Sequence, residues 1–139
     1  MAQHVRDIMT SRLVAVEPQA SVTAVAQKMR DEDIGAVLII EDDELRGLVS
    51  DRDLVVRALA EGGDPEQRTV ASACSGDVIT VTPDEDLDRA ARIMREHSIR
   101  RLPVMEQGHP VGIISLGDMA IERDSESALG DISAARPNQ

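Results

Sequence analysis

Two short stretches of this 139-residue sequence place a glycine, a serine and an aspartate at the same spacing. They are Gly47-Leu-Val-Ser50-Asp-Arg-Asp53 and Gly112-Ile-Ile-Ser115-Leu-Gly-Asp118. In each, an apolar strand runs into a helix, so backbone N–H groups and the positive end of the helix dipole face outward and can accept an anion. Serine can donate to a phosphate oxygen, and aspartate can accept from both hydroxyls of a ribose. The pattern is therefore compatible with a nucleotide, but Ser-x-x-Asp is also a capping box that stabilises a helix without any ligand.

The elements that position these residues occur twice. An offset of 65 residues aligns the sequence with itself without a gap from Val5/Val70 through Asp53/Asp118. Each copy predicts a short strand, a helix, two strands joined as a hairpin and a second helix. The first strands are expected at residues 13–16 and 78–81, and the first helices after Ser21 and Asp86. The fold class is mixed α/β, and two copies predict a paired, pseudo-symmetric unit.

The repeats also set the predicted organisation of the chain. Residues 5–60 form the first repeat, 61–69 a linker rich in glycine and proline, and 70–120 the second repeat. Residues 121–139 lack an apolar stripe and are predicted to form a mobile tail, with Leu129 and Ile132 as docking points.

Composition excludes several function classes. A net charge of -11 and the absence of Phe, Tyr and Trp argue against nucleic acid and anionic membrane surfaces. No apolar run approaches the roughly 20 residues of a membrane span, which predicts a cytoplasmic chain.

His4, His97 and His109 lack metal-ligand spacing and Cys74 is the sole cysteine, so no metal is predicted. No catalytic constellation is present either, since a triad of Ser115, His97 and Asp118 has no sign of an orienting network. We expect no enzyme.

The two copies of Gly-h-h-Ser-x-x-Asp, where h is apolar, each closing a strand-helix-strand-strand-helix unit, resemble a tandem pair of CBS domains, the cystathionine β-synthase type. The resemblance covers about residues 5–120, including Val5-Arg-Asp-Ile-Met9 and the Pro18 and Pro83 turns. Met29-Arg-Asp-Glu-Asp-Ile-Gly35 and Ser50-Asp-Arg-Asp-Leu-Val-Val-Arg57 are most similar to small stand-alone bacterial members of the hypoxic response protein type.

This resemblance implies two repeats packed sheet to sheet about a pseudo-two-fold axis, which leave two clefts. It also implies a regulatory module that senses an adenine nucleotide or related adenosyl ligand, with AMP, ADP and ATP as candidates and no required cofactor. Asp53 and Asp118 would hold ribose, with Ser50 and Ser115 toward phosphate. Adenine would lie between aliphatic groups and against the strand backbone near Val14 to Val16 or Ile79 to Val81, with Ile34 or Ile99 close by. The candidates for this contact are Val14, Val16, Ile34, Ile79, Val81 and Ile99.

The two repeats differ in the arginine residues that could contact a phosphate. The second has Arg100-Arg101 where the first has Gly35-Ala36, so the two clefts of such a fold would not be equivalent. We expect Arg101 or Arg100 to reach a phosphate whose ribose is held by Asp53, and Arg52 is a further candidate. The alternative is that these arginines form weak surface ion pairs with nearby acids.

Two functions therefore remain open from the sequence. The first is a nucleotide-sensing regulator, in a setting such as a stress response, that signals through a homodimer to an unidentified protein partner. The second is a ligand-free dimerisation or scaffold protein in which Ser-x-x-Asp only caps helices. The predicted dimer surface is formed by the helices after each motif, including Leu54, Val55, Ala58 and Leu59.

Overall fold

The computed structural model describes residues 3–74 and 78–123. The predicted docking points Leu129 and Ile132 lie outside these residues, as does the predicted tail from residue 124 onward. The described residues form two compact units. The first-half unit comprises the described residues of Val14–Val78, and the second-half unit those up to Leu13 together with those from Ile79 onward.

The first-half unit contains a three-stranded sheet and two helical segments. Strand β1 (Ala15–Val16) pairs in parallel with β2 (Ala36–Glu41), which pairs antiparallel with β3 (Glu44–Ser50). Helix α1 (Val22–Glu32) connects β1 to β2. Helix α2 (Asp51–Asp53) follows β3 and continues as the π-helical segment Leu54–Leu59.

The second-half unit repeats this order. Helix α3 (Leu87–His97) precedes strands β4 (Arg101–Glu106) and β5 (His109–Ser115), which form an antiparallel hairpin. Helix α4 (Leu116–Arg123) follows directly. The expected strand at residues 78–81 is reduced to one parallel bridge between Val81 and Val104, the counterpart of the pairing of Val16 with Ile39. The mixed α/β class and the repeated element order are as predicted.

Local chemistry explains why these elements form. Ser21 caps α1 by accepting from the Ala24 N–H at 3.0 Å, as predicted, whereas the Asp86 side chain makes no capping bond at α3. Both hairpins turn through two residues with positive φ, Asp42-Asp43 and Gln107-Gly108. Aspartate and glycine tolerate this region, and Gln107 adopts it as the first residue of a two-residue hairpin turn. Each hairpin also carries an irregularity in register at the same repeat position, Ile39/Ile40 and Val104/Met105.

Each unit is completed by a segment that the repeat boundaries assign to the other half. The N-terminal strap, Gln3–Thr10, contains a 3-10 turn at Val5–Asp7 and packs in the second-half unit. The internal strap, Arg68–Cys74, contains the equivalent turn at Val70–Ala73 and packs in the first-half unit. Val5 and Val70 are both fully buried, each in the apolar core of its unit. The two compact units therefore differ from the two sequence repeats by an exchange of equivalent segments.

Candidate functional site

Ser50 and Asp53 form a closed capping box where β3 meets α2. The Ser50 hydroxyl accepts from the Asp53 N–H at 3.1 Å, and the Asp53 carboxylate accepts from the Ser50 N–H at 2.9 Å. Asp53 Oδ1 lies 3.5 Å from Arg57 Nε. The predicted helix cap is therefore formed. The serine uses a lone pair in this box, so its O–H can still donate to a ligand.

Ser115 and Asp118 form the same box where β5 meets α4. The Ser115 hydroxyl accepts from the Asp118 N–H at 3.0 Å, and the Asp118 carboxylate accepts from the Ser115 N–H at 2.9 Å. Both boxes are half-buried, so ligand access is retained. The position of Arg57 is taken by Glu122 in the second repeat, so the repeat equivalent of this basic residue is acidic.

The structure places Arg100 and Arg101 beside the second box. Arg101 is paired with Ser115 across β4 and β5, and directly opposite residues of an antiparallel pair share one face of the sheet. The Arg100 carbonyl accepts from the Leu116 N–H at 2.8 Å. Ala36 takes the equivalent place opposite Ser50. Within its own unit, Arg101 is thus a neighbour of the Ser115 box, which the sequence reasoning did not consider.

Arg52 is exposed on the first turn of α2, and its N–H donates to the Asp51 carboxylate at 2.8 Å. It lies between the two carboxylates of this turn in the sequence. Its exposure leaves the guanidinium accessible to an anion.

The six aliphatic candidates differ in exposure. Val14, Val16 and Ile34 are partly buried against the first-half core, and Ile79 and Ile99 against the second-half core. Val81 is only 5% exposed and belongs to the second-half core itself. Its N–H donates to the Pro103 carbonyl, and its carbonyl accepts from the Met105 N–H. Side-chain contact with a base is therefore open to the other five but closed to Val81.

The glycines of the two motifs have a packing role. A Cβ at Gly112 would lie 2.7 Å from Met9 Sδ and 3.0 Å from the Thr10 carbonyl oxygen. A Cβ at Gly47 would overlap Cys74 Sγ. Met9 and Cys74 are repeat equivalents, one on each strap. Each glycine therefore makes room for a sulfur atom of the strap that completes its unit.

Cys74 and the histidines do not gather into a metal site. Within residues 3–74 and 78–123, no three His, Cys, Asp or Glu side chains lie close enough to hold a metal ion. Burial raises the pKa of the Cys74 thiol, and its Sγ lies 3.8 Å from the Leu48 carbonyl. A half-buried thiol that is kept neutral and contacts backbone acts as a packing group.

A groove of about 360 Å³ on the first-half unit was not anticipated from the sequence. Val16, Ala20 and Ala24 provide apolar lining, and Lys28 and Asp31 provide charge. Among the candidates, Val16 is the one that lines this groove.

The predicted dimer surface needs correction. Leu54 and Ala58 are 6% and 2% exposed and belong to the first-half core, so they are not available to a partner. Val55 and Leu59 are 56% and 62% exposed, and Val56, which the prediction omitted, is 46% exposed. Val55, Val56 and Leu59 all lie on the π-helical segment Leu54–Leu59.

Comparison with known proteins agrees with this architecture. The CBS domain profile matches residues 5–59 and 70–123. The CBS domain-containing protein YhcV of Bacillus subtilis is 34% identical over 126 residues, which cover 91% of this chain and 89% of YhcV. Hypoxic response protein 1 of Mycobacterium tuberculosis is 37% identical over 116 residues, covering 83% of this chain and 81% of that protein. This chain therefore belongs to the CBS domain family and carries two CBS domains.

Two solved structures show the same fold. The crystal structure of Hypoxic Response Protein I, which has two coordinated zinc ions, matches with a TM-score of 0.74 and 36% identity over 84% of this chain and 96% of that chain. The CBS domain pair of protein MJ0100, in complex with 5-methylthioadenosine and S-adenosyl-L-methionine, matches with a TM-score of 0.79 and 23% identity over 89% of this chain and 98% of that chain.

None of the helices within residues 3–74 and 78–123 is long and apolar enough to cross a membrane.

Proposed function

We propose that this CBS pair is a non-catalytic regulatory module that binds an adenine nucleotide or related adenosyl ligand through its Ser–Asp boxes. The observation that carries the proposal is the occurrence of two boxes at equivalent strand-to-helix junctions, each with a serine proton still able to donate. The aspartates supply acceptors for ribose hydroxyls. AMP, ADP and ATP are the candidate ligands.

Base recognition in this proposal is aliphatic. The chain has no aromatic side chain, so adenine cannot stack on a ring. Val14, Val16 and Ile34 in the first-half unit, and Ile79 and Ile99 in the second, are half-buried and still present apolar surface. Backbone groups of these strands supply the remaining hydrogen bonds.

Isothermal titration calorimetry with AMP, ADP, ATP, S-adenosylmethionine and NAD tests the proposal. Asp53→Ala and Asp118→Ala remove a ribose acceptor and also open a capping box, so a cap control is needed. Ser21→Ala supplies it, because Ser21 caps α1 and belongs to neither box. We expect saturable binding that the aspartate substitutions weaken and Ser21→Ala preserves. Absence of binding by all five ligands would contradict the proposal.

The phosphate contact is assigned to Arg101. Removal of a charge-assisted contact weakens phosphate-bearing ligands by roughly tenfold or more, whereas adenosine affinity is preserved. Arg101→Ala, alone and combined with Asp53→Ala or Asp118→Ala, identifies the aspartate that acts on the same ligand. The sequence predicts coupling with Asp53, and the pairing of Arg101 with Ser115 favours coupling with Asp118. If Arg101→Ala lost affinity for AMP and adenosine equally, the assignment of Arg101 to the phosphate would be contradicted.

The second candidate function is a ligand-free dimerisation or scaffold protein. The closure of both boxes favours it, because the serines and aspartates already satisfy backbone N–H groups without a ligand. In this case the variants of Asp53 and Asp118 would change stability alone, and the titrations would give no heat of binding.

We also propose that the chain forms a homodimer through the apolar surface of Val55, Val56 and Leu59. These are three of the four large hydrophobic residues that are exposed in the described part of the chain. Light scattering should give twice the 15.0 kDa chain mass at micromolar concentration. Val56→Glu should reduce this mass, whereas Ser11→Glu, at an exposed residue outside both helices, should leave it unchanged and serves as the control. A monomer mass for the wild type would contradict the proposal.

A further inference from the structure

The two straps bring their sulfur atoms to equivalent positions. The same backbone bonds hold both straps: the Val5 N–H donates to the Glu85 carbonyl, and the Val70 N–H donates to the Ala20 carbonyl. The other equivalent bonds, given as donor and acceptor, are Arg6–Pro83 with Ala71–Pro18, and Leu87–Gln3 with Val22–Arg68. Because the backbones correspond, Met9 packs on Gly112 in the way that Cys74 packs on Gly47.

The chemistry of these two sulfur atoms differs. Cys74 carries a thiol, and the form of a thiol that reacts with oxidants is the thiolate. Burial raises the pKa of the Cys74 thiol, so it stays protonated at neutral pH. Met9 carries a thioether, which has no proton to lose and is oxidised directly to a sulfoxide. Of the two equivalent positions, the one occupied by Met9 is therefore the more open to oxidation.

Exposure also separates Met9 from most of the methionines in residues 3–74 and 78–123. Met9 is half-buried, and so is Met105 on β4. Met29, Met94 and Met119 are only 6%, 2% and 4% exposed, and all three belong to the apolar cores. An oxidant dissolved in water therefore reaches Met9 and Met105 more easily than these three.

The surroundings of Met9 suit an apolar side chain. Met9 packs against the second-half core, and a Cβ on Gly112 would lie 2.7 Å from its Sδ and 3.0 Å from the Thr10 carbonyl oxygen. That carbonyl already accepts from the Ile113 N–H, and the Thr10 N–H donates to the Ile113 carbonyl. A sulfoxide oxygen on this side of Met9 would face a second acceptor without a free backbone donor. An acceptor buried in this way destabilises the contact.

We propose that Met9 is an oxidation site that controls how firmly the N-terminal strap binds the second-half unit. A lone pair of Met9 Sδ attacks one oxygen of hydrogen peroxide, so an S–O bond forms while the O–O bond breaks. The sulfur is oxidised by two electrons, and the peroxide is reduced to one water molecule, which takes both of its protons. The polar sulfoxide then leaves its contact with Gly112, and the pairing of Thr10 with Ile113 loosens.

The position of this contact extends its effect to the second box. Gly112 and Ile113 lie on β5, which ends at Ser115. Loosening of the strap therefore removes a neighbour from the strand that positions the Ser115 hydroxyl. This consequence holds whether or not a nucleotide binds there.

Treatment of the full chain with hydrogen peroxide, followed by peptide mass spectrometry, tests the modification. Met9 and Met105 should gain an oxygen atom before Met29, Met94 and Met119 do. Treatment with methionine sulfoxide reductases of both stereospecificities should remove it again. Oxidation of Met9 no faster than that of the buried methionine Met94 would overturn the proposal.

Hydrogen exchange tests the effect on the strap. In the oxidised protein, exchange of the Thr10 and Ile113 amides should rise by about tenfold or more, because an unpaired buried acceptor is costly. The Val22 and Val70 amides, which hold the internal strap, serve as the internal reference and should keep their rates. An equal rise at both straps would show global loosening and would overturn the proposal.

Substitutions assign the effect to one sulfur atom. Met9→Leu keeps an apolar side chain without sulfur and should abolish the response of the Ile113 amide to peroxide. Met105→Leu removes the other half-buried methionine and is the matched control, in which the response should persist. Met9→Gln places a polar side chain of similar length at this position and should loosen the strap without any oxidant. A response that persisted in Met9→Leu, or an Ile113 amide as protected in Met9→Gln as in the wild type, would overturn the proposal.

Discussion

The internal strap and the N-terminal strap bind their units through the same backbone bonds and through different side chains. Thr69, Ala71 and Ser72 carry no charge on the internal strap, whereas His4, Arg6 and Asp7 occupy the same places on the N-terminal strap. The repeat thus preserves these backbone hydrogen bonds of the straps, whereas the charge of the strap side chains differs between the two copies. The same separation applies to Arg101 opposite Ser115 and Ala36 opposite Ser50.

Truncation of the buried valine of either strap should give the largest expected effect on stability. Val5 and Val70 are each fully buried, so substitution of either by alanine should cost about 2 kcal/mol through lost burial and a residual cavity. The prediction is crossed: Val5→Ala should speed hydrogen exchange in β4 and β5, and Val70→Ala should speed it in β2 and β3. Val5→Ala that loosened β2 and β3 while β4 and β5 stayed protected would show that the straps had been assigned to the wrong units.

The motif glycines should give the next effect. Gly47→Ala and Gly112→Ala overlap a sulfur atom and should each cost roughly 1 to 3 kcal/mol in denaturant unfolding. At Gly47 the close contact is with the Cys74 side chain, so Cys74→Ala should restore stability. At Gly112 the Thr10 carbonyl is also close, so Met9→Ala should restore it only in part. Full recovery of stability at both positions would contradict the expected difference between Gly47 and Gly112.

Smaller effects are expected from the capping boxes. Ser50→Ala and Ser115→Ala each remove one side-chain acceptor for a helix N–H and should cost about 1 kcal/mol. Thermal unfolding of the two variants should give nearly equal losses, because the bonds of the two boxes have nearly equal lengths. A loss confined to one variant would mean that the boxes are not equivalent as helix caps.

The smallest expected effect is on hydrogen exchange of the N-terminal strap at acidic pH. Hydrogen bonds from the His4 and Gln3 N–H groups, with smaller contributions from the nearby charges of His4 and Arg6, hold the pKa of Asp7 below its ordinary value of 3.8. A lowered folded-state pKa stabilises the protein above the unfolded value, and this stabilisation is lost as pH falls through the folded value. Hydrogen exchange of the N-terminal strap should therefore rise below about pH 3.8 more than that of the internal strap, and Asp7→Asn should reduce this difference. An unchanged response in Asp7→Asn would show that other groups control the acid response.

Much of this architecture follows from pattern. The repeat fixes the equivalence of the hairpins, and the apolar spacing of Val22, Val25 and Met29 matches the buried face of α1. The straps could not be assigned in this way, because a sequence repeat indicates which segments are equivalent and not which core each of them joins. The π-helical segment also escaped prediction, since the spacing of Leu54 and Ala58 fits one face of an ordinary helix.

The candidate site was predictable to a similar extent. Ser-x-x-Asp predicts the capping boxes, which the structure contains, because that bond depends on residues three positions apart in sequence. The role of Gly47 and Gly112 depends on Met9 and Cys74, which are distant in sequence, so it needed the structure. The half-burial of Val14 and the full burial of Val81 likewise depend on packing that periodicity does not describe.

Hydrogen exchange with and without AMP tests the central proposal most directly, because it reads both boxes in the unsubstituted protein. Binding at the boxes predicts slower exchange of the Asp53 and Asp118 amides, or of one of them, at saturating AMP. The Ala24 amide, which is capped by Ser21 in the same manner, should be unaffected. Protection that appeared elsewhere while both box amides exchanged at their free rates would contradict the assignment of the Ser–Asp boxes as the ligand site.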